Sequence, residues 1–479
     1  MNRSIQRLYL GIIVAFALLA GFLGWWQVVR ASSLASRVDN PYLYESQRKI
    51  DRGRIITADG VVLARSVKVE GGGETKYRRV YPKGALAPHV VGYASQQLGA
   101  SGIEAAFTTF LGGDYGAQPL LQRIRGAKHG ADVQLTIDSR VQQVAVDALA
   151  KIGSPGSVVV IRPSTGAIVA MASNPTFNLQ DVATRYASIT KRPNAPLLNR
   201  ATQSRQPPGS TFKVITASAA IQEGVATPQT QFVDTGSYVV NGIPIRNFGG
   251  EIFGRHDLTF ALTHSVNTTF ARLGEMLGAD RLGARMDAFG FGQRPALTDL
   301  PPGEIQASGR FRGSTLLSDS QNGEDVARIA IGQERVLATP LQMAMVAAAV
   351  ADGGMLRQPY LVSRVRDRKG DLIRQVQPQE LGQALRSDVA ADVSAMMLNV
   401  VKEGTGTAAA LSGLQVAGKT GTAEISATSG NMAWFIGFAP ANNPKVAVAV
   451  RIENTPLTGG VVAAPVAAAV MKAALEAAR

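Results

Sequence analysis

The first long apolar run, Leu8 to Val29, carries no charge and, wound as a helix, is about 33 Å long, enough to cross a bilayer. Trp25 and Trp26 stand near its far end, where aromatic rings favour the membrane interface, and Arg3 and Arg7 precede it. A cleaved signal peptide has a shorter apolar region, roughly 7–15 residues. The run therefore reads as an uncleaved anchor with Met1 to Arg7 in the cytoplasm, although Arg30, Arg37, Arg48 and Lys49 on the other side weaken the charge asymmetry. From Ala31 to about Gly130 the pattern shifts to short strand-like runs rich in glycine and arginine. Ile55 to Ala64 predicts a β-hairpin turning at Asp59-Gly60, Gly71-Gly72-Gly73 a loop, and Gly102 to Leu111 a short helix stopped by Gly112-Gly113. This stretch is expected to be an extended, mainly β platform.

A boundary is expected near Gly126-Ala127-Lys128-His129-Gly130. Beyond it Asp132 to Ile137 alternates as a strand. Ser139 to Lys151 predicts an amphipathic helix with Val141, Val144, Ala145, Ala148 and Leu149 on its apolar face. Ser157 to Arg162 and Ala167 to Ala172 predict two apolar strands joined by a turn at Pro163-Ser164-Thr165-Gly166. Helical patterns then dominate as far as Gly353-Gly354: Phe212 to Ile221, stopped by Gly224, then Leu258 to Leu277, Arg281 to Phe289 and Pro340 to Ala351. The last third returns to strands, Gln415 to Thr422, Ala433 to Ala439 and Val446 to Ile452, before an alanine-rich helix from Pro465. Strands at both ends with helices between them predict an α+β domain whose sheet draws on both ends of the sequence.

Composition narrows the chemistry. At 479 residues the chain is too long for one ordinary core, and 46% hydrophobic against 18% charged residues describes a globular protein. The net charge of +14 is not gathered into a lysine or arginine run, so no nucleic-acid arm is indicated; a basic surface near an anionic membrane, an anionic polymeric substrate and a generic basic surface all fit. Without cysteine there is no thiol catalysis, disulfide or cysteine metal site. The four histidines, His89, His129, His256 and His264, are scattered without metal-ligand spacing.

The candidate chemistry centres on Gln206-Pro207-Pro208-Gly209-Ser210-Thr211-Phe212-Lys213. Ser210 falls in the first turn of the predicted helix and Lys213 one turn later on the same face. A serine needs a neighbouring base to become a nucleophile, and a lysine whose pKa is lowered by burial or a nearby cation can serve. A second Ser-x-x-Lys, Ser188 to Lys191, is set aside because Arg192-Pro193 follows and argues against a continuing helix. Lys419-Thr420-Gly421-Thr422, in a predicted strand, offers a cation, two hydroxyls and a glycine permitting close backbone approach; it suits an extended anionic ligand bound edge-on, or equally an exposed strand end with a solvated lysine. Ser265-Val266-Asn267 lies in the Leu258–Leu277 helical region. Ser320-Gln321-Asn322 and Ser429-Gly430-Asn431 share its short pattern without its helical context or its order relative to the other motifs.

Taken together, the Ser210/Lys213, Ser265/Asn267 and Lys419-Thr420-Gly421 trio resembles that of β-lactamases and penicillin-binding proteins. The chain is most similar to a class B penicillin-binding protein, a monofunctional peptidoglycan D,D-transpeptidase. Pro196-Leu197-Leu198-Asn199-Arg200, Gly166 to Ser173 and Ala433 to Pro440 are similar to the family's catalytic domain, and Arg52-Gly53-Arg54-Ile55 and Val91-Gly92-Tyr93 to its pedestal. The resemblance implies a penicillin-binding/transpeptidase fold, an antiparallel sheet flanked by helices plus an all-helical lobe. It implies a tail at 1–7, an anchor at 8–29, a short pedestal at 30–130 and a transpeptidase domain at 131–479 on the extracytoplasmic side. By the same resemblance Ser210 attacks the penultimate D-Ala carbonyl of a stem peptide ending in D-Ala-D-Ala, and Lys213 takes its proton. The backbone N–H groups of Ser210 and Thr422 hold the oxyanion, and Ser265, between the two lysines, relays a proton to the leaving D-Ala. Asn267 holds the donor peptide; Lys419, Thr420 and Thr422, with Gly421 between them, bind its carboxylate or polarise the site. A neighbouring stem peptide's amine then completes the cross-link, β-lactams acylate Ser210, and no cofactor is required; which lysine is the acylation base stays open. One hydroxyl is expected between two ammonium groups. No glycosyltransferase domain is recognisable, so a membrane glycosyltransferase of the RodA/FtsW type is the implied partner. A β-lactam-hydrolysing or sensing enzyme shares the trio, but the platform and anchor argue against a secreted hydrolase and the seven-residue tail against a sensor. A catalytically silent scaffold would not need the full set of side chains, and a histidine-triad hydrolase would carry Gly-x-Ser-x-Gly.

Overall fold

The computed structural model describes residues 3–26, 49–69, 75–95, 97–115, 129–317, 325–426 and 430–478. The N-terminal helix runs from Arg3 to Gly24, starting five residues before the expected Leu8, so Arg3 and Arg7 lie on it. Its side chains are exposed throughout and it is long and apolar enough to cross a membrane. Positions 27–29 of the expected span, the Gly71-Gly72-Gly73 loop and the Ser320 motif copy lie outside the described residues, as do Gly126 to Lys128 and the start of the Ser429 copy.

The platform is organised by a six-stranded sheet in the order Leu372–Gln375, Val362–Arg366, Asp132–Leu135, Ile55–Ile56, Val62–Val69 and Lys76–Val80. The predicted hairpin is present: Ile55 pairs with Ala64, and Gly60, at φ +90°, closes the turn by donating to the Thr57 carbonyl. Its first strand also pairs in parallel with Asp132–Leu135, and two strands from beyond residue 360 complete the sheet, so the sheet runs across the expected division at 130/131. The Arg52-Gly53-Arg54 run has a physical role here. Arg52 and Arg79 converge on the fully buried Glu104 carboxylate at 2.9 and 2.5 Å, and Arg54 pairs with Asp132. A side chain on Gly53 would strike the Ala131 carbonyl, 1.9 Å from where its Cβ would lie.

The larger domain is built on a five-stranded antiparallel sheet in the order Ala417–Ser426, Gly430–Ala439, Val446–Thr455, Gly156–Ile161 and Ile168–Asn174. Both ends of the sequence thus meet in one sheet, as predicted. Its inner strands are buried on both faces, and the pleat divides them: Val158, Val160, Val448 and Val450 face one cluster, Val159, Ile161, Ala447 and Ala449 the other. The helices Gly459–Ala477 and Ser139–Ile152 cover the first face and Pro340–Ala351 the second. The closing helix begins at Gly459, six residues before the expected Pro465; it is apolar enough to span a membrane, yet its buried stripe from Val462 to Ala474 packs on this sheet.

The helical lobe departs from its expected pattern in two ways. Leu258 to Leu277 is not one helix: Leu258–Thr263 and Asn267–Ala288 are separated by a corner at His264 to Val266, while the second is broken at Gly278, φ +75°, so the expected stop after Leu277 and the separate helix from Arg281 are both present. The stretch before it, inside the region read as helical, instead forms two antiparallel pairs on the lobe's rim, Gln231–Asp234 with Gly254–Asp257 and Ser237–Val240 with Ile243–Arg246. A further helix, Ser387–Lys402, has no counterpart among the predicted elements.

Candidate active site

The Ser210 turn comes first. Gly209 to Phe212 form a 3-10 turn that runs into the helix Lys213–Gln222, so Ser210 occupies the first turn as expected. The chain enters it at Gly209, whose φ of +53° favours glycine. The Gly209 N–H donates to the Gly332 carbonyl and the Thr211 hydroxyl to that of Pro208. The turn lies directly against the Lys419 strand: a Cβ on Gly421 would be 2.8 Å from the Pro208 carbonyl oxygen, and one on Gly209 would be 3.0 Å from that of Thr422. That strand, Ala417–Ser426, is the edge of the central sheet, in keeping with the edge-on binding expected of it. The Ser265 motif enters at the corner between the two lobe helices, and Ser265 itself has φ +61°.

The three segments, separated by up to 209 positions between Ser210 and Lys419, meet in one place. The Lys213 Nζ lies 2.7 Å from the Ser265 carbonyl oxygen, 3.2 Å from its Oγ and 2.6 Å from Asn267 Oδ1. The Lys419 Nζ lies 3.0 Å from the same Ser265 Oγ and 2.9 Å from the Thr420 carbonyl. Thr420 and Thr405 share a hydroxyl–hydroxyl contact of 2.6 Å, and Thr422 Oγ1 accepts from the Gly459 N–H at 3.3 Å. Ser210, Ser265, Asn267, Thr420, Gly421 and Thr422 all line one open cleft of about 990 Å³. Both lysines are fully buried. Ser188 of the rejected motif is exposed on the helix Leu179–Thr190 and bonds only the Arg185 carbonyl.

Electrostatics revises the expected pair of ammonium groups. Burial, and the neighbouring Lys419, push the Lys213 amine well below its ordinary value, and burial lowers Lys419 to about 7. Three oxygens surround the Lys213 Nζ. Ser265 O and Asn267 Oδ1 are acceptors only, and the Ser265 hydroxyl can donate to a neutral amine or accept from a charged one. The Ser265 hydroxyl, able to accept from Lys419 and donate toward Lys213, sits between an amine and a group that is charged below about pH 7.

Residues 156–472 match the penicillin binding protein transpeptidase domain, and residues 52–133 the penicillin binding protein A dimerisation domain. The peptidoglycan D,D-transpeptidase PbpA of Mycolicibacterium smegmatis is 36% identical over 504 aligned positions, covering 99% of each chain. The chain belongs to the penicillin-binding protein transpeptidases. Among solved members of that family, a ceftriaxone acyl-enzyme complex of penicillin-binding protein A from M. tuberculosis superposes with a TM-score of 0.82 at 33% identity, covering 90% of this chain and all of that one. The D,D-transpeptidase domain of a peptidoglycan glycosyltransferase from Eggerthella lenta gives 0.79 at 39%, covering 90% and 99%.

Several supports of this candidate site have no motif of their own. Trp434, in the strand paired with the Lys419 strand, donates its indole N–H to the Pro207 carbonyl at 3.0 Å. The buried Arg451 donates to the Ser204 carbonyl at 2.8 Å, lies over the Trp434 ring and pairs with Glu453. The approach to Ser210 is thereby tied to the sheet. On the lobe side, Gln206 forms an antiparallel bridge with Ala338. The Trp434 segment is recognisable by resemblance, but its grip on Pro207 is a contact across 227 positions that no local pattern announces.

Proposed function

We propose that Ser210 is the acylated serine of this peptidoglycan D,D-transpeptidase and that Lys213 is its base. The carrying observation is the Ser265 hydroxyl lying 3.2 and 3.0 Å from two buried amines, in the cleft that Ser210 lines. Ser210 Oγ attacks the penultimate D-Ala carbonyl carbon and its proton passes to the neutral Lys213 amine. The tetrahedral oxyanion is held by the N–H groups of Ser210 and Thr422, whose segments lie in contact; one such donor is typically worth ~10²–10³ in rate. The C–N bond then breaks, and the proton reaches the departing D-Ala amine through Ser265. Asn267 orients the donor peptide, while Lys419, Thr420 and Thr422 receive its carboxylate. The amine of a second stem peptide attacks the ester, forming the cross-link and freeing Ser210. β-Lactams acylate the same oxygen.

The exposed apolar helix Arg3–Gly24 supports single-pass anchoring, with residues 1–7 as a cytoplasmic end, 30–130 as platform and 131–479 as an extracytoplasmic transpeptidase. Glycan polymerisation is assigned to a RodA/FtsW-type membrane partner. The test is Ser210→Ala in the full chain, followed with a fluorescent penicillin and by intact mass: labelling and the acyl adduct are both expected to vanish while the thermal transition remains. An adduct that survives the substitution sinks the assignment.

A further inference from the structure

The Ser265 corner is held by a segment that no motif marks. The helix beginning at Asn267 is preceded by Val266, which has no side-chain acceptor, so the first N–H groups of that helix need a partner from elsewhere. Asn247, twenty positions upstream, supplies it: its Oδ1 accepts from the N–H groups of Asn267 and Thr268 at 2.9 and 3.2 Å. Asn247 Nδ2 in turn donates to Asp234 Oδ2 at 2.8 Å and to the Glu251 carbonyl at 3.0 Å. The buried Asp234 also accepts from the Phe253 and Gly236 N–H groups, both at 2.8 Å, and from the Thr268 hydroxyl at 2.7 Å. The residue beside Asn247 completes the arrangement. The Arg246 carbonyl takes Asn267 Nδ2 at 2.9 Å, which fixes the amide so that Oδ1 faces Lys213 at 2.6 Å.

We infer that Asn247 and Asp234 are positioning residues of the reaction: they set the Ser265–Asn267 corner, and through it the direction in which Lys213 presents its lone pair. The inference rests on the proposed roles of Ser265, Asn267 and Lys213. Ser265 has φ +61°, a conformation that a serine holds only where its surroundings impose it. Asn247 and Asp234 are themselves nearly buried, so their hydrogen bonds do not compete with bulk water. The surrounding charges are few. Arg246 and Glu251 flank the loop and are exposed, Arg272 lines the small hollow beside Asp234, and His256 is engaged by the Thr269 hydroxyl.

Asn247→Asp tests this. It keeps the acceptor for the helix but replaces the N–H that faces Asp234 with a carboxylate oxygen. Two carboxylates at that spacing repel and raise the pKa of one of them, so it takes up a proton as pH falls and the hydrogen bond reforms. The full chain in detergent is acylated with a fluorescent penicillin. The rate constant of acylation is read for the reactive fraction alone, with Asn267→Ala and Ser265→Ala alongside. At alkaline pH, Asn247→Asp is expected to lose about 10²-fold in that rate constant, the scale of a misplaced catalytic group. The deficit against the parent is expected to shrink as pH falls, and to shrink at all pH values in Asp234→Asn/Asn247→Asp, which restores a donor–acceptor pair between the two positions. Asn247→Ser, which keeps an acceptor but not the link to Asp234, is expected to lie between. A purely structural role would lower the reactive fraction and leave its rate constant alone, and that result overturns the inference. So does a loss in Asn247→Asp that neither pH nor the double substitution relieves. If Asn267→Ala and Ser265→Ala also react at the parent rate, the proposed roles of those residues fail, a result distinct from failure of the positioning pair alone.

Discussion

The Lys419 strand and the Ser265 corner deliver side chains to the same hydroxyl by different means. Lys419 to Thr422 sit in a ten-residue strand whose backbone is paired position by position, Lys419 with Ile436 and Thr422 with Ala433. Any one side chain can be lost there without moving the others, because the ladder carries the geometry. The corner has no ladder. Its three positions lie between two helices, one in a left-handed conformation, and its supports are side chains and carbonyls at 234, 246 and 247. The strand should therefore tolerate polar substitutions in its surroundings and resist steric ones, and the corner the reverse.

Gly421→Ala tests the strand's intolerance of bulk and has the largest expected effect. The added carbon would lie 2.8 Å from the Pro208 carbonyl oxygen, 2.9 Å from Thr211 Cγ2 and 3.1 Å from the Thr211 nitrogen, so the Ser210 turn must move off the strand. Acylation by a fluorescent penicillin is expected to fall by about 10²-fold, the usual consequence of an ångström-scale misplacement. A rate near that of the parent would show that the two segments are not held against each other.

The second effect is a pH dependence that belongs to the strand's lysine. Lys419 is lowered to about 7 in the folded chain from an ordinary value of 10.5. Between those values the unfolded chain holds a proton that the folded chain lacks, so stability rises with pH across that window, by at most ~1.4 kcal/mol per pH unit. Because other groups titrate in the same range, the measurement is the difference in unfolding free energy between the parent and Lys419→Met. That difference should move in the parent's favour from about pH 7 to about pH 10. A flat difference would place a charged lysine in the folded site at all these pH values.

The contrast also explains what was readable in the sequence. The central strands and Pro340–Ala351 were legible because uniform apolar runs are what a doubly covered sheet and a buried helix require. The N-terminal apolar helix was legible by length and hydropathy, and Ser210, Lys213 and the Lys419 strand by spacing. The 231–257 pairs were not. Their strands are four residues long and half exposed, with Val233, Val239 and Ile243 facing outward, so no periodicity builds up. The apolar pattern of Leu258 to Leu277 ran through a corner that no glycine or proline marks, since Ser265 holds a conformation few serines adopt. Asn247 was silent for a related reason: a lone asparagine in a polar stretch gains its meaning only from what folds against it.

The smallest effect sharpens the comparison from the strand's side, where one support is not backbone. Trp434 donates its indole N–H to the Pro207 carbonyl, three residues before Ser210, from a strand otherwise fixed by its ladder. Trp434→Phe keeps an aromatic ring against the buried Arg451 but leaves that carbonyl without its donor. Pro207 is half-buried, so losing this bond should cost about the ~0.5–1.5 kcal/mol of an ordinary hydrogen bond, and unfolding by denaturant should show a loss of that size. If the ladder carries the geometry, the acylation rate constant should fall by less than about tenfold, an order of magnitude gentler than a misplaced catalytic group. A larger loss in rate than in stability would mean that the Ser210 turn hangs on this one indole, and the strand side would then resemble the corner.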